Sequence, residues 1–368
     1  MRPCSNFMKA ATVSIAPSAA ELTIAYTDPQ RSAEVIDLEY VRDSQPGIRR
    51  HADKNGFTYW YRGRKIANPR TLERIRKMAI PPAWRDVWIC ARANGHLQAT
   101  GYDARNRKQY RYHSLWSERR NETKFHRLYA FGKSLPIIRR RLERDLRRKA
   151  LCEEKVLATA IELMERTYIR IGNEGYEKMN GSYGLTTLKD KHVKIDRNGL
   201  RFSFRGKKGI YHDVTIRNRR LARIVKACRD IPGRELFQYY ADDGTRRSID
   251  SGKVNQYIRD AAGDDFSAKD FRVWAGSLHC LRALQRLSTE HPPKQAMLAA
   301  LDEVSRRLGN TRAVCRKYYV HPGLLRLYEE GTLDQYLEEV EHEERSSHSL
   351  TADEKVLMKV LKVLQTPL

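Results

Sequence analysis

Along the first third of the chain, hydrophobic and polar positions alternate with a period of two. Three runs have this pattern: FTYWYRG (57–63), VWICARANGHLQATGYD (87–103) and KQYRYHS (108–114). Such alternation, interrupted by turn residues, predicts antiparallel strands. The segment TLERIRKMAI between the first two runs predicts a helix that Pro81 and Pro82 end. We therefore expect a β-rich lobe over residues 38–118, preceded by a flexible tail over residues 1–37.

Beyond about residue 122 the hydrophobic positions follow the period of a helix instead. Apolar side chains recur at this spacing before the helix-ending Gly172: Leu142, Leu146, Leu151, Val156, Ala160 and Met164. A strand island follows, because HVKID, LRFSFRG and IYHDVTI alternate and are joined by the turns Arg-Asn-Gly and Lys-Lys-Gly. Helices then resume to about residue 340. The pattern predicts a mainly α-helical lobe over residues 122–340 that carries a small three-stranded sheet.

The chain ends in an acidic run, EEVEHEER, and the strongly amphipathic sequence TADEKVLMKVLKVL, which we assign to a last segment over residues 341–368. We expect this final helix to pack on the body of the protein rather than on a membrane. The fold class predicted from the whole pattern is α+β, with an antiparallel β-sheet lobe followed by a mainly α-helical lobe.

Charge indicates the partner. The chain has 368 residues, enough for two domains with hydrophobic cores. Its 70 Lys and Arg against 45 Asp and Glu give a formal charge of +25. The excess positive side chains repel one another unless a polyanion offsets their charge. Nucleic acid is therefore the expected partner; an anionic membrane surface fits less well, because the sequence has no apolar run of about 18 residues and no lipidation signal. The basic stretch 139–149 predicts either a solvated helix face or a phosphate contact.

Several kinds of chemistry are absent from the sequence. The six cysteines lie far apart, which favours reduced, mostly buried residues in a cytoplasmic protein. An organellar address is the alternative to a flexible tail for the acid-poor N-terminus. The Gly-Lys pair in GLRFSFRGKKG lacks the other residues of an ATPase phosphate loop, and no HExxH, Cys-x-x-Cys or GxSxG motif occurs. We therefore expect action on nucleic acid without ATP, divalent metal or another cofactor.

One direct route to breaking a phosphodiester remains, in which a side-chain hydroxyl attacks phosphorus. It needs a nucleophile, cations that hold the non-bridging oxygens, and an acid for the departing sugar oxygen. The stretch VCRKYYVHP (314–322) offers two neighbouring tyrosines. Val314 and Tyr318 would form one apolar helix face, which predicts Tyr318 as the core residue and Tyr319 as the freer hydroxyl. Tyr319 is therefore the favoured nucleophile.

Four further side chains could act with this tyrosine. Arg170 closes the predicted helix ERTYIRIG, and Lys207 lies in a β-hairpin turn. Arg272 lies in the first turn of a helix that Ser267 caps, where a cation suits phosphate binding. Asn310 follows the end of the helix MLAALDEVSRRL. Each has an ordinary structural alternative: a cation at a helix C-terminus, a solvated turn residue, a surface ion pair and a helix cap, respectively.

In this order, the segments RIGNEGY, RGKKG, KDFR and LGNTRAVCRKYYVHP resemble the catalytic segments of type IB DNA topoisomerases, most closely those of the small bacterial and poxvirus-like branch. IPPAW (80–84), GHLQATGYDARNRKQYRYH (95–113) and TTLKDKHV (186–193) resemble the same branch, so that the resemblance spans about residues 38–335. It implies a monomeric, two-lobed clamp around duplex DNA. Such an enzyme relaxes supercoils by transient single-strand cleavage, strand rotation and religation.

The resemblance also implies roles for the candidate residues. Tyr319 would form a 3′-phosphotyrosyl link and expel a 5′-hydroxyl. Arg170 and Arg272 would stabilise the pentacoordinate phosphorus, and Lys207 would protonate the leaving oxygen. One position departs from the family, because poxviral and eukaryotic relatives carry His nine residues before the tyrosine, where this chain has Asn310. An amide can donate a hydrogen bond to a non-bridging oxygen but brings no positive charge.

The run Arg-Lys-Gln-Tyr-Arg-Tyr resembles the strand with which the family contacts its DNA target. Six residues are therefore candidates for DNA contact: Arg107, Lys108, Gln109, Tyr110, Tyr112 and, in the loop after Arg170, Tyr176. Glutamine can form two hydrogen bonds with adenine in the major groove, which gives Gln109 a physical basis for this role. An edge strand of solvated polar residues is the alternative.

Two other functions fit part of the pattern. A tyrosine site-specific recombinase has related Arg, Lys and Tyr chemistry. However, that family usually has His-x-x-Arg where this chain has Lys269-Asp270-Phe271-Arg272, and its N-terminal part is helical. A non-catalytic basic DNA-binding protein would explain the charge but not the ordered set of motifs. The sequence therefore favours topoisomerase activity.

Overall fold

The computed structural model describes residues 29–338 and 348–365, except for residues 55, 105 and 107 and the side chains of residues 118–123 and 176. The predicted tail up to residue 28 and all but the first residue of the acidic run lie outside the described residues. The chain forms two compact units, Met1–Thr123 and Lys124–Leu368. Within the first, residues at the end of the predicted tail form helix α1 (Pro29–Glu34).

An antiparallel sheet of six strands organises the first unit. The strands are β1 (Ile48–Asp53), β2 (Gly56–Tyr61), β3 (Arg64–Lys65), β4 (Arg85–Ile89), β5 (Leu97–Tyr102) and β6 (Lys108–Tyr112), in the spatial order β3-β2-β1-β4-β5-β6. The predicted strands correspond to β2, β4, β5 and β6 and are confirmed. The sequence analysis missed β1 because only Ile48 of its six residues is buried, so that the strand shows no hydrophobic alternation.

The predicted helix of the first unit is confirmed as α2 (Pro69–Lys77). Asn68 caps it, since its Oδ1 accepts a hydrogen bond from the Thr71 amide at 3.1 Å, and Pro69 occupies the first turn, where no amide donor is needed. Ile75 of this helix joins residues of three strands in one buried cluster: Ile48, Val87, Ile89 and Ala99. The helix therefore covers one face of the sheet.

Helices make up most of the second unit. They are α3 (Ser114–Leu146), which begins in the first unit, α4 (Glu153–Thr167), α5 (Glu174–Asn180), α6 (Arg219–Arg229), α7 (Ser251–Ala262), α8 (Ala268–Leu287), α9 (Pro293–Leu308), α10 (Arg312–Tyr318), α11 (Pro322–Glu329), α12 (Asp334–Leu337) and α13 (Ala352–Gln365). Helix α8 is the most central of these, with most of its residues buried. Within the described ranges, none of the helices combines the length and hydrophobicity needed to cross a bilayer.

A small antiparallel sheet interrupts the helices, as predicted, which confirms the α+β fold class. It consists of β7 (Val193–Ile195), β8 (Leu200–Arg205) and β9 (Tyr211–Ile216), and a separate pair follows, β10 (Gln238–Tyr240) and β11 (Arg246–Ser248). A single helical turn connects β8 to β9, and the Gly206 amide closes it by donating to the Ile210 carbonyl at 2.7 Å. Lys208 has a positive φ of 63° there. Lys207 and Lys208 thus lie exposed in a hairpin turn, as predicted.

Helix α13 packs into the core of the second unit, as predicted. Its buried side belongs to the same hydrophobic cluster as α8: Val356, Leu357, Val360 and Leu361. The Glu354 carboxylate accepts hydrogen bonds from Arg139 at 2.7 and 2.9 Å and from Trp274 Nε1 at 3.1 Å. Arg139 also pairs with Glu165 and is only 5% exposed. The sequence analysis predicted either a solvated helix face or a phosphate contact for the start of the basic stretch. Both predictions are wrong at Arg139, because this residue is buried and carboxylates balance its charge.

Candidate active site

Arg272 lies near the start of α8, on its buried side. A capping box fixes the beginning of this helix, in which the Ser267 amide and hydroxyl donate to the Asp270 carboxylate at 2.8 and 2.9 Å. Arg272 is 4% exposed; its Nη2 donates to the Leu308 carbonyl at 2.7 Å and its Nη1 to the Tyr168 carbonyl. In the described part of the chain no carboxylate pairs with it. The surface ion-pair alternative is therefore wrong.

Arg170 lies beyond the end of α4 rather than within the predicted helix. The helix ends at Thr167, because Tyr168 adopts a left-handed conformation with φ 58°. Arg170 Nη2 donates to the Gly309 carbonyl at 3.4 Å and to Asn310 Oδ1, whereas its Nη1 is buried and makes no hydrogen bond. No carboxylate among the described residues pairs with this guanidinium either. Arg170 is therefore not a cation at a helix C-terminus, and this structural alternative is wrong.

Three consecutive residues, Leu308, Gly309 and Asn310, bind both guanidiniums. Helix α9 ends at Leu308, and Gly309 closes it in the left-handed region with φ 58°. The last carbonyls and the Asn310 amide oxygen thereby become acceptors for the two arginines. Asn310 is not a helix cap, because Thr311 caps α10 with its hydroxyl. We call residues 308–310 the arginine-binding segment.

Tyr319 caps the C-terminus of α10, and its ring lies 5.1 Å from the guanidinium carbon of Arg272. Tyr318 is 38% exposed, whereas Cys315 is fully buried and Tyr319 packs against the core. The prediction that Tyr318 is the core residue is therefore wrong. The buried face of α10 contains Cys315 and Tyr319 instead of Val314 and Tyr318, a shift of one residue.

The backbone of Tyr319 rests on α8, one turn after Arg272. A Cβ on Gly276 would lie 2.5 Å from the Tyr319 carbonyl oxygen, so that only glycine permits this contact. The Ser277 hydroxyl donates to the same carbonyl at 3.4 Å and accepts from the His321 amide at 3.0 Å. One helix thus positions both the guanidinium and the phenol. The sequence analysis missed Gly276 and Ser277. The usable signal was a pair of small residues one helical turn after Arg272.

Burial and charge act on the Tyr319 phenol in opposite directions. Burial raises its pKa, whereas the positive charges of Arg272 and Arg170, a hydrogen bond with Arg272 and the charge of Lys269 lower it. The charges prevail, and the pKa of Tyr319 lies below the ordinary value for a tyrosine. The nucleophilic phenolate therefore forms more readily at this position than in an ordinary tyrosine.

We expect the Tyr319 phenol to titrate below its ordinary pKa of about 10 in the wild-type protein and at a higher pH in Arg272→Gln. The substitution removes the nearest positive charge and leaves burial, whose effect has the opposite sign. The measurement is the ultraviolet phenolate absorbance of each protein minus that of its Tyr319→Phe counterpart as the pH is raised. Identical titration curves in the two backgrounds would show that Arg272 does not set this pKa.

The structure brings four of the five predicted catalytic residues together: Arg170 contacts Asn310, Arg272 contacts Tyr319, and the charge of Arg170 acts on the same phenol. Lys207 lies on the turn between β8 and β9, with an exposed side chain. The base of that turn approaches the arginine-binding segment through His212, described below. Within the described ranges, no three His, Cys, Asp or Glu side chains lie close enough together to hold a metal ion.

The predicted DNA-contact residues of the first unit lie on β6, an edge strand of the sheet. Tyr110 and Tyr112 are 47% and 39% exposed, and their rings stack with centres 6.0 Å apart. Gln109 Nε2 donates to Asp103 at 3.0 Å, so that its amide already has a partner. The exposed aromatic pair is therefore the more accessible part of this strand.

The remaining candidates for DNA contact are less informative. Lys108 pairs with Asp43 at 2.5 Å. Arg107 and the side chain of Tyr176 lie outside the described residues, although the backbone of residue 176 belongs to α5. DNA contact by these six residues stays a prediction.

Most of the chain matches known proteins. Residues 109–346 match the catalytic core of eukaryotic DNA topoisomerase I, and residues 56–103 match the N-terminal domain of bacterial DNA topoisomerase IB. The chain is 33% identical over 294 residues to the DNA topoisomerase 1B of Acanthamoeba polyphaga mimivirus, which covers 77% of this chain and 88% of the relative. It is 22% identical over 272 residues to the DNA topoisomerase 1B of Vaccinia virus (strain Copenhagen), which covers 71% of this chain and 82% of the relative.

Together with the fold, these matches define an enzyme of the DNA topoisomerase class. The match at the N-terminus is to a bacterial domain, and that at the C-terminus is to a catalytic core. The chain belongs to the type IB DNA topoisomerase family.

Proposed function

We propose that the protein relaxes supercoiled duplex DNA by cleaving one strand through a 3′-phosphotyrosyl intermediate at Tyr319, allowing rotation, and religating the strand. The observation that carries this proposal is the pair of guanidiniums, Arg170 and Arg272, which act on one phenol and lack a carboxylate partner in the described chain. Uncompensated buried charge is costly, and a phosphodiester would supply the opposite charge in a geometry that suits arginine.

In the cleavage step, the Tyr319 hydroxyl oxygen forms a bond to phosphorus while the bond between phosphorus and the 5′ oxygen breaks. Arg170 and Arg272 hold the non-bridging oxygens, on which negative charge increases. Lys207 donates a proton to the departing 5′ oxygen, and the tyrosine proton is lost to solvent. Because one phosphoester replaces another, religation by the 5′-hydroxyl needs no ATP, and torsional strain in the DNA drives the rotation. The fixed cations serve in place of a divalent metal.

The first unit contributes DNA contact in this proposal. Tyr110 and Tyr112 are exposed on an edge strand, where aromatic and polar side chains can reach a groove. The protein would act as a monomeric clamp on nucleoid DNA, with Arg107, Lys108, Gln109 and Tyr176 as further contacts. Because such contacts are largely to phosphate, DNA affinity should fall steeply as salt is raised.

The test is to incubate supercoiled plasmid with the protein in the presence of a chelator and without nucleotide, and then to denature the mixture. Relaxation and a covalent protein–DNA adduct are expected. On a defined duplex, a label at the 5′ end of the cleaved strand should stay with the protein, and a label at its 3′ end should be released. Adduct retaining the 3′ label would contradict the stated polarity. Strand exchange without relaxation would support a recombinase, and binding without adduct would support a non-catalytic protein.

Asn310→His is expected to retain cleavage, whereas Asn310→Ala is expected to slow single-turnover cleavage by about 10²-fold. The side-chain oxygen of Asn310 accepts a hydrogen bond from Arg170, and its side-chain nitrogen donates to the Leu308 carbonyl at a long 3.4 Å. A phosphate oxygen could replace that carbonyl as the acceptor. Asn310→Asp keeps the acceptor but loses the donor, and it should be at least as slow as the alanine variant. An alanine variant that cleaves normally would remove Asn310 from the site.

A further inference from the structure

His212 lies next to the site, yet neither the motifs nor the cleavage step described above uses it. It stands on β9 opposite Phe204 of β8, and the two rings stack with centres 5.0 Å apart. Its free edges face two glycines: an ideal Cβ on Gly206 would lie 2.6 Å from Cδ2, and one on Gly309 would lie 3.1 Å from Cε1. The imidazole is therefore wedged between these two glycines.

Each of the two glycines directly precedes a candidate catalytic residue. Lys207 follows Gly206, and Asn310, which accepts from Arg170, follows Gly309. Because neither glycine has a side chain, the ring between them determines how closely the hairpin turn and the arginine-binding segment approach each other. A substitution that changes the volume at His212 would alter this separation.

The ring occupies this place as a neutral group. Burial and the charges of Arg170 and Arg272 lower the pKa of His212 to about 4. The imidazole nitrogens form no hydrogen bond with another described residue. Its contribution therefore comes from the shape of the ring, which fills the space between two backbones without adding a third positive charge beside the guanidiniums.

We propose that His212 is a positioning residue for the cleavage reaction: its ring seats the turn that carries Lys207 against the arginine-binding segment, so that the lysine reaches the departing 5′ oxygen. This inference rests on the proposed function, in which Lys207 protonates that oxygen. Loss of His212 should therefore impair protonation of the leaving group and should leave DNA binding intact.

The test compares His212→Ala with the wild-type protein on two duplexes, one with the ordinary 5′ oxygen at the cleavage site and one with sulfur in its place. A thiolate leaves without protonation, so that the sulfur duplex does not need Lys207. We expect single-turnover cleavage by His212→Ala to fall by about 10²-fold on the oxygen duplex and by less than about threefold on the sulfur duplex. DNA binding, measured separately, should not change.

Two further variants complete the experiment. His212→Phe keeps a flat ring on Phe204 and should recover most of the rate, whereas Thr215→Ala, an exposed change on the same strand, should leave both rates unaltered. If melting shows that His212→Ala is unfolded, His212→Val takes its place. Equal slowing on both duplexes, or a phenylalanine variant as slow as alanine, would overturn the proposal. A wild-type protein that cleaves neither duplex would instead contradict the proposed function.

Discussion

Tyr319→Phe is expected to abolish the covalent adduct and plasmid relaxation while leaving DNA binding intact. The change removes only the attacking oxygen, because the phenyl ring can keep its place beneath the Arg272 guanidinium and its backbone contact with Gly276. Loss of the nucleophile should slow cleavage by at least about 10⁴-fold, because phenylalanine has no oxygen that could form the bond to phosphorus. Single-turnover adduct formation and filter binding on one defined duplex measure the two properties separately.

Tyr318→Phe is the matched control for this experiment. It deletes the same oxygen from the neighbouring side chain, which is 38% exposed. Its cleavage rate should stay within about twofold of the wild-type rate, as for other surface substitutions. A phenylalanine at 319 that still forms adduct, or an inactive phenylalanine at 318, would assign the nucleophile to a different tyrosine.

The elements that carry the site could be predicted wherever a local pattern determines them. The three-stranded meander was predictable because one buried face leaves a period-two pattern, seen in Leu200, Phe202 and Phe204. The hairpin turn was predictable because it contains Gly209, which tolerates the positive φ of 77° found there, although the neighbouring Lys208 also adopts a positive φ. The start of α8 was predictable from its capping residues. In each case the determining residues lie within a few positions of one another.

The choice between the two tyrosines shows where such reasoning stops. Helix α10 has only seven residues, so its apolar spacing fits two adjacent faces about equally well. Packing against α8 decides between them, since Gly276 and Ser277 receive the backbone of Tyr319. The sequence reasoning favoured Tyr319 as the freer hydroxyl and Tyr318 as the core residue, whereas Tyr319 is the more buried of the two in the structure. Tyr319 therefore stays the favoured nucleophile, but because of its long-range packing and not because of its helix face.

Two buried arginines show the same limit for charge. Arg139 and Arg272 both come from basic helical sequences and are 5% and 4% exposed. Arg139 is neutralised by Glu354, which lies 215 positions along the chain, and by Glu165. Among the described residues, Arg272 pairs with no carboxylate: two backbone carbonyls accept its hydrogen bonds, and the Tyr319 side chain hydrogen-bonds to it, with its ring 5.1 Å from the guanidinium carbon. Because the partners are distant in sequence, no local pattern could tell the structural arginine from the candidate catalytic one.

Arg272→Ala should slow single-turnover cleavage by about 10³-fold and change DNA affinity only slightly. The substitution removes a cation from the oxygens on which charge increases, and it also removes the nearest charge that lowers the Tyr319 pKa. Arg272→Lys keeps a charge but loses the planar fork, so it should recover only part of the rate. Cleavage rates on a defined duplex at saturating protein measure the chemical step without the contribution of binding.

Arg139→Gln provides the contrast, since it removes an equally buried guanidinium from a carboxylate pair. It leaves Glu354 and Glu165 without their counter-charge and should cost about 3–5 kcal/mol of the free energy of unfolding. Arg272→Ala removes a buried charge that has no such partner, and it should cost less stability. The two variants should therefore differ in what they lose: Arg139→Gln mainly lowers the melting temperature, and Arg272→Ala mainly lowers the cleavage rate. An Arg272 variant that melts as early as Arg139→Gln but cleaves normally would make Arg272 a structural residue and would remove the central cation from the mechanism.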